Sequence, residues 1–318
     1  YNKSKALLAL IICLFTTPLY MHCAIYYTDS LSMFFSTLIL FLFLILKENE
    51  NKTTLKNILL IIMGITLAIA WKVKITSIFI AIAIVVYQIL TKIDKKTLKN
   101  YCIIGITSIV VLLGFSINMN KQLNKSSNIE NYKMPIEHWI MIGLVDNGSY
   151  NEDLLNYTLS YNSYSEKREA DRLKINEIMR NYTCNDFIKH LTVKLKYAWT
   201  DGTYYAPAKL SRNPVNKNII HECILNDGKY SNIYKYFPQV MHLTLLILII
   251  FSCIKLIKEK DYTSYKYILS ISMVGIIVFL LIWENRSRYI LTMFPIYLAL
   301  AIDGIDYIDK KIKRYRKC

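Results

Sequence analysis

Apolar runs of roughly 15 to 21 residues recur along the chain, each closed by a short break that usually carries lysine. That length carries an α-helix across a bilayer, which takes about 20 residues at 1.5 Å each. Backbone groups in hydrocarbon must satisfy one another, so such runs fold as helices. With 54% hydrophobic residues and a mean hydropathy of +0.28, the chain is too apolar for an ordinary soluble protein. The fold class this predicts is an all-α polytopic membrane protein with about eight transmembrane helices.

The eight expected spans are Ala6 to Tyr26, Leu31 to Leu46, Ile58 to Trp71, Ile75 to Leu90, Tyr101 to Ile117, Val240 to Leu256, Tyr267 to Trp283 and Tyr289 to Ile308. Several are shorter than the usual span, and Lys72-Val73-Lys74 leaves room only for a tight turn between the third and fourth. Residues 1–117 then hold five spans, 118–239 an extracytoplasmic domain, and 240–318 three more spans with a basic cytoplasmic tail.

Charge distribution gives the orientation. The chain has 39 Lys and Arg against 23 Asp and Glu, a net +16, which by itself would point to nucleic acid or an anionic surface. The N-terminal tail, Lys47 to Asn57, Thr91 to Asn100, Lys255 to Lys266 and Asp309 to Cys318 together hold 19 basic and 6 acidic residues. The short breaks on the opposite side hold only Lys72, Lys74, Arg286 and Arg288. Basic residues flanking spans stay in the cytoplasm, so in a protein of the cytoplasmic membrane both termini are expected on the cytoplasmic side and the long loop outside. The excess charge thus reads as topology and attraction to the lipid bilayer, with no nucleic acid partner.

The outer segment is long enough for a mainly helical and irregular domain. Ser163 to Tyr182 reads as a helix, with Ala170, Leu173, Ile178 and Met179 apolar among many charges. Cys184 and Cys223 both fall in this segment, where a disulfide and two free thiols are equally open readings. Cys13, Cys23, Cys102 and Cys253 lie in or beside spans and read as packing. The chain shows no P-loop, dinucleotide fingerprint or zinc spacing. It begins at Tyr1 and enters a span almost at once, so it reads as the C-terminal portion of a longer protein.

Ionisable residues where spans meet the outside are costly and mark function. Asp29, in the five-residue turn Tyr26 to Ser30, faces an outer cleft or caps the following helix. Lys72 and Lys74 sit on the side where positive charge is scarce; one reading is contact with a lipid phosphate, the other is snorkelling. Glu284, Arg286 and Arg288 form a third cluster, and two arginines at i and i+2 suit phosphate, against an ordinary surface ion pair. His138 and Trp139 lie in an amphipathic stretch expected on the membrane surface, where a lone histidine is more often structural than catalytic. Asp201 and Tyr204 belong to Trp199-Thr200-Asp201-Gly202-Thr203-Tyr204-Tyr205, a turn whose aromatic residues stack on a sugar or anchor at the interface.

Tyr27-Thr28-Asp29-Ser30 after a Pro18-containing span, His138 to Leu144, Asp201-Gly202-Thr203-Tyr204, and Glu284 to Tyr289 entering a last span with Pro295 resemble Gram-positive members of the GT-C membrane glycosyltransferases. The nearest resemblance is to bacterial family 39 and protein O-mannosyltransferase-like enzymes. It runs through the whole chain in order of elements, although each motif is short. It implies an enzyme that moves a sugar from a polyprenyl-phosphate donor to a hydroxyl of a glycan, lipid or protein acceptor on the outer face. Asp29 matches the second of the two acidic positions of such enzymes, and the first would lie upstream of Tyr1. Arg286, Arg288 and Lys72 or Lys74 would hold the carrier phosphate, with Glu284, His138, Trp139, Asp201 and Tyr204 in supporting or acceptor roles. No cofactor beyond the lipid-linked donor follows; the residues do not call for a metal, although related enzymes vary and the upstream loop could hold a ligand for a divalent ion.

Three other classes compete. A lipid-linked glycan polymerase or ligase also uses outer arginines. A transporter needs ionisable residues at mid-membrane, for which His22 and Asp303 are the candidates. The third is a non-catalytic membrane protein displaying the outer domain.

Overall fold

The computed structural model describes residues 3–91, 93–123, 133–212, 214, 218–260 and 262–316. Tyr1 and Asp261, the latter among the counted acidic residues, lie outside them, as does Cys318. Among the described residues the regular structure is entirely helical. In chain order the helices are α1 (Lys3–Phe15), α2 (Thr17–Met21), α3 (Thr28–Glu48), α4 (Thr53–Val73), α5 (Phe79–Thr91), α6 (Lys95–Leu123), α7 (Ile136–Gly143) and α8 (Glu152–Leu159). There follow α9 (Tyr164–Asn181), α10 (Cys184–Trp199), α11 (Ala206–Leu210), α12 (Ile219–Ile224), α13 (Ser231–Glu259), α14 (Lys266–Ile282), α15 (Arg288–Leu291) and α16 (Phe294–Tyr315).

Four of these, α3, α4, α6 and α13, are long and apolar enough to cross a membrane, and a bent pair at the N-terminus makes a fifth if counted as one span. Of the eight expected spans, four, or five with the bent pair, meet that length and composition among the described residues. The first expected span breaks at Thr16 and bends by 67°, because Pro18 supplies no backbone donor to the preceding turn. Ile75–Thr91 and α14 are apolar but short. In α16 the apolar stretch gives way after Ile302 to Asp303, Asp306, Asp309 and a run of basic residues. The turn expected at Lys72-Val73-Lys74 falls at Lys74, whose extended backbone separates α4 from a 3-10 turn at Ile75–Ile78.

The chain divides into two compact units, Tyr1–Ile109 with Thr200–Ile276 and Ser287–Cys318, and Val110–Trp199 with Ile277–Arg286. Residues 200–239, read from sequence as part of the outer domain, group with the first unit. Cys184 falls in the second unit and Cys223 in the first.

In the first unit α3 packs on α4 and α13 on α16. Phe294, Tyr297, Leu300, Ala301 and Gly304 repeat at helical spacing and are buried on α16. A Cβ at Gly304 would lie 1.9 Å from the Leu248 carbonyl oxygen, so glycine lets the α13 and α16 backbones approach closely. Phe34 and Phe41 on α3 and Ile106 and Ile109 on α6 stay exposed, as lipid-facing side chains do. Ion pairs link several helix ends: Lys47 with Glu50 at 2.7 Å, Lys96 with Glu50 at 3.7 Å, and Lys255 and Lys266 with the buried Asp303 of α16 at 2.7 and 2.5 Å. Asp303, a candidate for a transporter's mid-membrane group, is thus committed to two lysines.

In the second unit α9 forms where expected. Ser163 caps it in a reciprocal capping box with Glu166. Its buried stripe is Lys167, Ala170 and Asp171, while Leu173 and Met179 are exposed. The polar stripe wins because α8 supplies Thr158 as a buried hydrogen-bonding partner for Asp171, and burial with a partner outweighs bare hydrophobicity.

Candidate functional site

Three chain breaks in the first unit converge on one carboxylate. Asp29 lies in the first turn of α3, where the helix dipole favours negative charge, and it is fully buried. Its side chain does not cap the helix. One oxygen pairs with Lys74 Nζ, and the other accepts from Arg288 Nη1 at 3.1 Å. Lys74 comes from the extended residue after α4, and Arg288 opens α15. Both cations are themselves largely buried.

Aromatic rings interleave with these charges. The Tyr289 ring centre lies 4.2 Å from Lys74 Nζ and 4.8 Å from Arg288 Cζ. The Tyr27 ring centre lies 4.7 Å from Arg288 Cζ and 4.3 Å from Lys209 Nζ, and Lys209 donates to the Tyr27 hydroxyl at 2.7 Å. The order Lys74, Tyr289, Arg288, Tyr27, Lys209 is a continuous ladder of cation–π contacts. Burial holds the Lys209 ammonium below its usual range, and the neighbouring Arg288 and Arg212 charges push the same way.

Tyr27, Lys209 and Arg212 also line a cavity of about 910 Å³ in this unit. Its remaining lining is mostly apolar, including Met21 and Ile25, Ile219, Ile220 and Ile224 of α12, and Tyr234 of α13. Met21, Ile25 and Ala206 form a buried core beneath it, with Leu210, Ile224 and Tyr234 packed against them.

Asp201 braces this site from behind. It accepts from Thr203 N at 2.9 Å, Thr203 Oγ1 at 2.5 Å, Tyr205 N at 2.9 Å and Ser287 Oγ at 2.5 Å. The first three hold a turn in which Tyr204 and Tyr205 take φ of 50° and 63°, a costly conformation for residues other than glycine. The fourth fixes the residue immediately before Arg288. Tyr204 is buried, hydrogen-bonds through its hydroxyl with His242 Nδ1 at 3.0 Å and with the Tyr297 hydroxyl, and accepts at its carbonyl from His22 Nε2 at 3.1 Å. It is a core residue and presents no face to a sugar.

The other sequence candidates sit elsewhere. Lys72 is exposed and makes none of these contacts. Arg286 belongs to the second unit, where it donates to the Tyr197 hydroxyl at 2.8 Å and lies 4.0 Å from the buried Glu284. His138 is fully buried in that unit, and Trp139 stacks on Trp283 with ring centres 6.5 Å apart. His138 Nδ1 and Thr158 Oγ1 are hydrogen-bonded at 2.8 Å, and Thr158 reaches on to Asp171 at 2.7 Å. Lys194 is buried with its ammonium on three carbonyls, Gly143 at 2.6 Å, Leu281 at 2.8 Å and Trp283 at 2.9 Å. Sequence reasoning missed Tyr27, Tyr289, Lys209 and Lys194. Tyr27 and Tyr289 adjoin charged positions that were recognised, whereas nothing local marks Lys209.

The His138–Thr158–Asp171 chain makes stability depend on pH. Burial raises Asp171 to about 6 and lowers His138 to about 4; Glu137 adds to the rise and Lys167 opposes it. Asp171's contribution is present below its ordinary 3.8 and lost as pH rises through 6; that of His138 is full above 6.5 and lost as pH falls towards 4. Asp171→Asn keeps an acceptor for Thr158 without a charge, so it is expected to stabilise the protein by about 1–2 kcal/mol at pH 7. The gain should vanish by pH 4 in thermal melts. A gain independent of pH would show that Asp171 is not charged in the fold at pH 7.

Lipid-facing helices around a carboxylate clasped by two cations define a polytopic helical membrane protein with a charged site built from the ends of its helices. Residues 2–307 match the family described as conserved hypothetical integral membrane protein, and the chain belongs to that family. No curated protein and no solved structure matches it.

Proposed function

We propose that this protein is a GT-C type membrane glycosyltransferase, taking a sugar from a polyprenyl-phosphate donor to an acceptor hydroxyl on the outer face of the cytoplasmic membrane. The observation that carries the reading is the Lys74–Asp29–Arg288 cluster, a buried carboxylate clasped by two cations. Paired cations of this kind, next to a largely apolar cavity, match a phosphate attached to a lipid chain. Both termini lie in the cytoplasm in this reading, and the acceptor is a glycan, lipid or protein.

In the reaction the acceptor oxygen bonds to the anomeric carbon as the bond from that carbon to the phosphate oxygen breaks. The bonding pair leaves on the lipid phosphate, whose growing charge Lys74 and Arg288 stabilise. As the phosphate draws both cations, an Asp29 oxygen is released to take the hydroxyl proton. Asp201 and Ser287 position Arg288. Arg286, Glu284, His138, Trp139 and Tyr204 act structurally, and Lys72 takes no part.

The test is release of prenyl phosphate from a prenyl-phosphate hexose by the protein in proteoliposomes, with cell-envelope extract as acceptor. Arg288→Gln and Lys74→Met should each slow turnover by about 10²–10³-fold, as expected for lost charge stabilisation in a transition state. Lys72→Met should leave it unchanged. Wild-type turnover in both Arg288→Gln and Lys74→Met would sink the proposal.

A further inference from the structure

The ladder carries more positive charge than one phosphate monoester or diester needs. Four cations gather beside Asp29: Lys74 and Arg288, which share its carboxylate, and beyond them Lys209 and Arg212. No carboxylate pairs with Lys209 among the described residues; its hydrogen bond goes to Tyr27, and the cations Arg288 and Arg212 lie near enough to act on it. Lys209 and Arg288 both sit over the Tyr27 ring, at 4.3 and 4.7 Å from its centre, which bounds their separation at 9.0 Å. Like charges this close in a partly buried setting repel, and the fold accepts that cost.

A ligand that settles such a row needs two negative centres joined by a short bridge, with an apolar tail for the cavity that Tyr27, Lys209 and Arg212 help to line. From this juxtaposition we infer that the site takes a prenyl diphosphate headgroup, one phosphate on Lys74 and Arg288 and the second on Lys209 and Arg212, with the prenyl chain among Met21, Ile25 and Ile224. Lysine and arginine here supply the neutralisation that a divalent cation gives a diphosphate elsewhere. Tyr27 keeps the two halves of the row in register, one ring face or edge serving each cation. The inference rests on the lipid-phosphate reading of the Asp29 cluster and narrows it from a monophosphate carrier to a diphosphate one.

The experiment compares farnesyl diphosphate, farnesyl monophosphate, farnesol and inorganic diphosphate for binding to the full chain in detergent, read by calorimetry and by shift of the melting temperature. Wild type should bind farnesyl diphosphate at least tenfold more tightly than the monophosphate, and both more tightly than farnesol. In Lys209→Met/Arg212→Gln the preference for diphosphate should collapse to within twofold, with monophosphate binding and the ligand-free melting temperature unchanged. Should the double variant fail to fold, Arg212→Gln alone, at an exposed side chain, should cut the preference at least threefold. Equal binding of monophosphate and diphosphate, both above farnesol, overturns the diphosphate inference and leaves the lipid-phosphate reading intact. Equal binding of all three prenyl compounds overturns both. Inorganic diphosphate binding as tightly as farnesyl diphosphate removes the chain from the cavity and overturns the inference, as does a preference that survives in the variants.

Discussion

Asp29→Ala should lower the stability of the solubilised protein by about 3–5 kcal/mol, the usual cost of removing one partner from a buried ion pair. The loss leaves Lys74 and Arg288 facing each other with no anion between them, and both are too deep to reach bulk water freely. Two further measurements separate this from simple loss of packing. Asp29→Ala/Lys74→Met, which removes the surplus charge as well, should recover a large part of the loss. Inorganic phosphate should raise the melting temperature of Asp29→Ala more than that of wild type, because an anion then replaces the carboxylate by binding the folded state alone. If phosphate acts equally on both proteins, the cluster is a structural ion pair and its role in holding a phosphate fails. Asp29→Asn makes the complementary case, since it keeps the shape and loses the charge; it should resemble Asp29→Ala in stability and in its response to phosphate.

How far the chain could be read in advance depends on which forces were local. The apolar runs announce helices because the membrane leaves no other way to satisfy the backbone. The Ser163 to Glu166 capping box announces α9 because both partners lie within one turn. The Asp29, Lys74 and Arg288 positions were also legible, because a charge at a span end on the sparsely charged side stands out against its surroundings. What the sequence did not show is which of these charges meet. Lys72 and Lys74 look alike as letters, yet the break after α4 turns one towards Asp29 and leaves the other exposed. Arg286 and Arg288 look like a phosphate fork, yet the division between the two units falls between them. Apolar runs alone also do not show where a helix is amphipathic or interrupted: α16 buries Asp303 against lysines from α13 and α14, and Pro18 breaks the first run. Lys209 and Lys194 were invisible because each is defined by partners far away in sequence, Tyr27 for one and three carbonyls from two separate helices and the turn beyond for the other.

Lys194→Met is expected to cost about 2–4 kcal/mol, because three buried carbonyls lose an ionised donor at once and no water replaces it. The side chain ties together the C-terminus of α7 and the end of α14, where helices leave their last carbonyls unsatisfied. The same region depends on Asn285, whose side chain donates to the Lys194 carbonyl at 2.7 Å and whose backbone donates to Gly148 at 2.6 Å. Hydrogen exchange in Lys194→Met should therefore rise at Trp283, Glu284 and Asn285 and around Gly143, with α9 much less affected. pH supplies an independent check on the charge. Burial lowers the Lys194 ammonium to about 8 from its ordinary 10.5. A depressed value means that the contribution is full above 10.5 and is lost as pH falls through 8, since the folded protein must then hold a buried charge that the unfolded chain carries in water. Wild type should accordingly gain on Lys194→Met as pH rises from 8 towards 10.5. A gap between the two proteins that stays constant over that range would mean that the three carbonyls compensate the desolvation completely, and the lysine would then be a fixed cation locking the end of α14 in place.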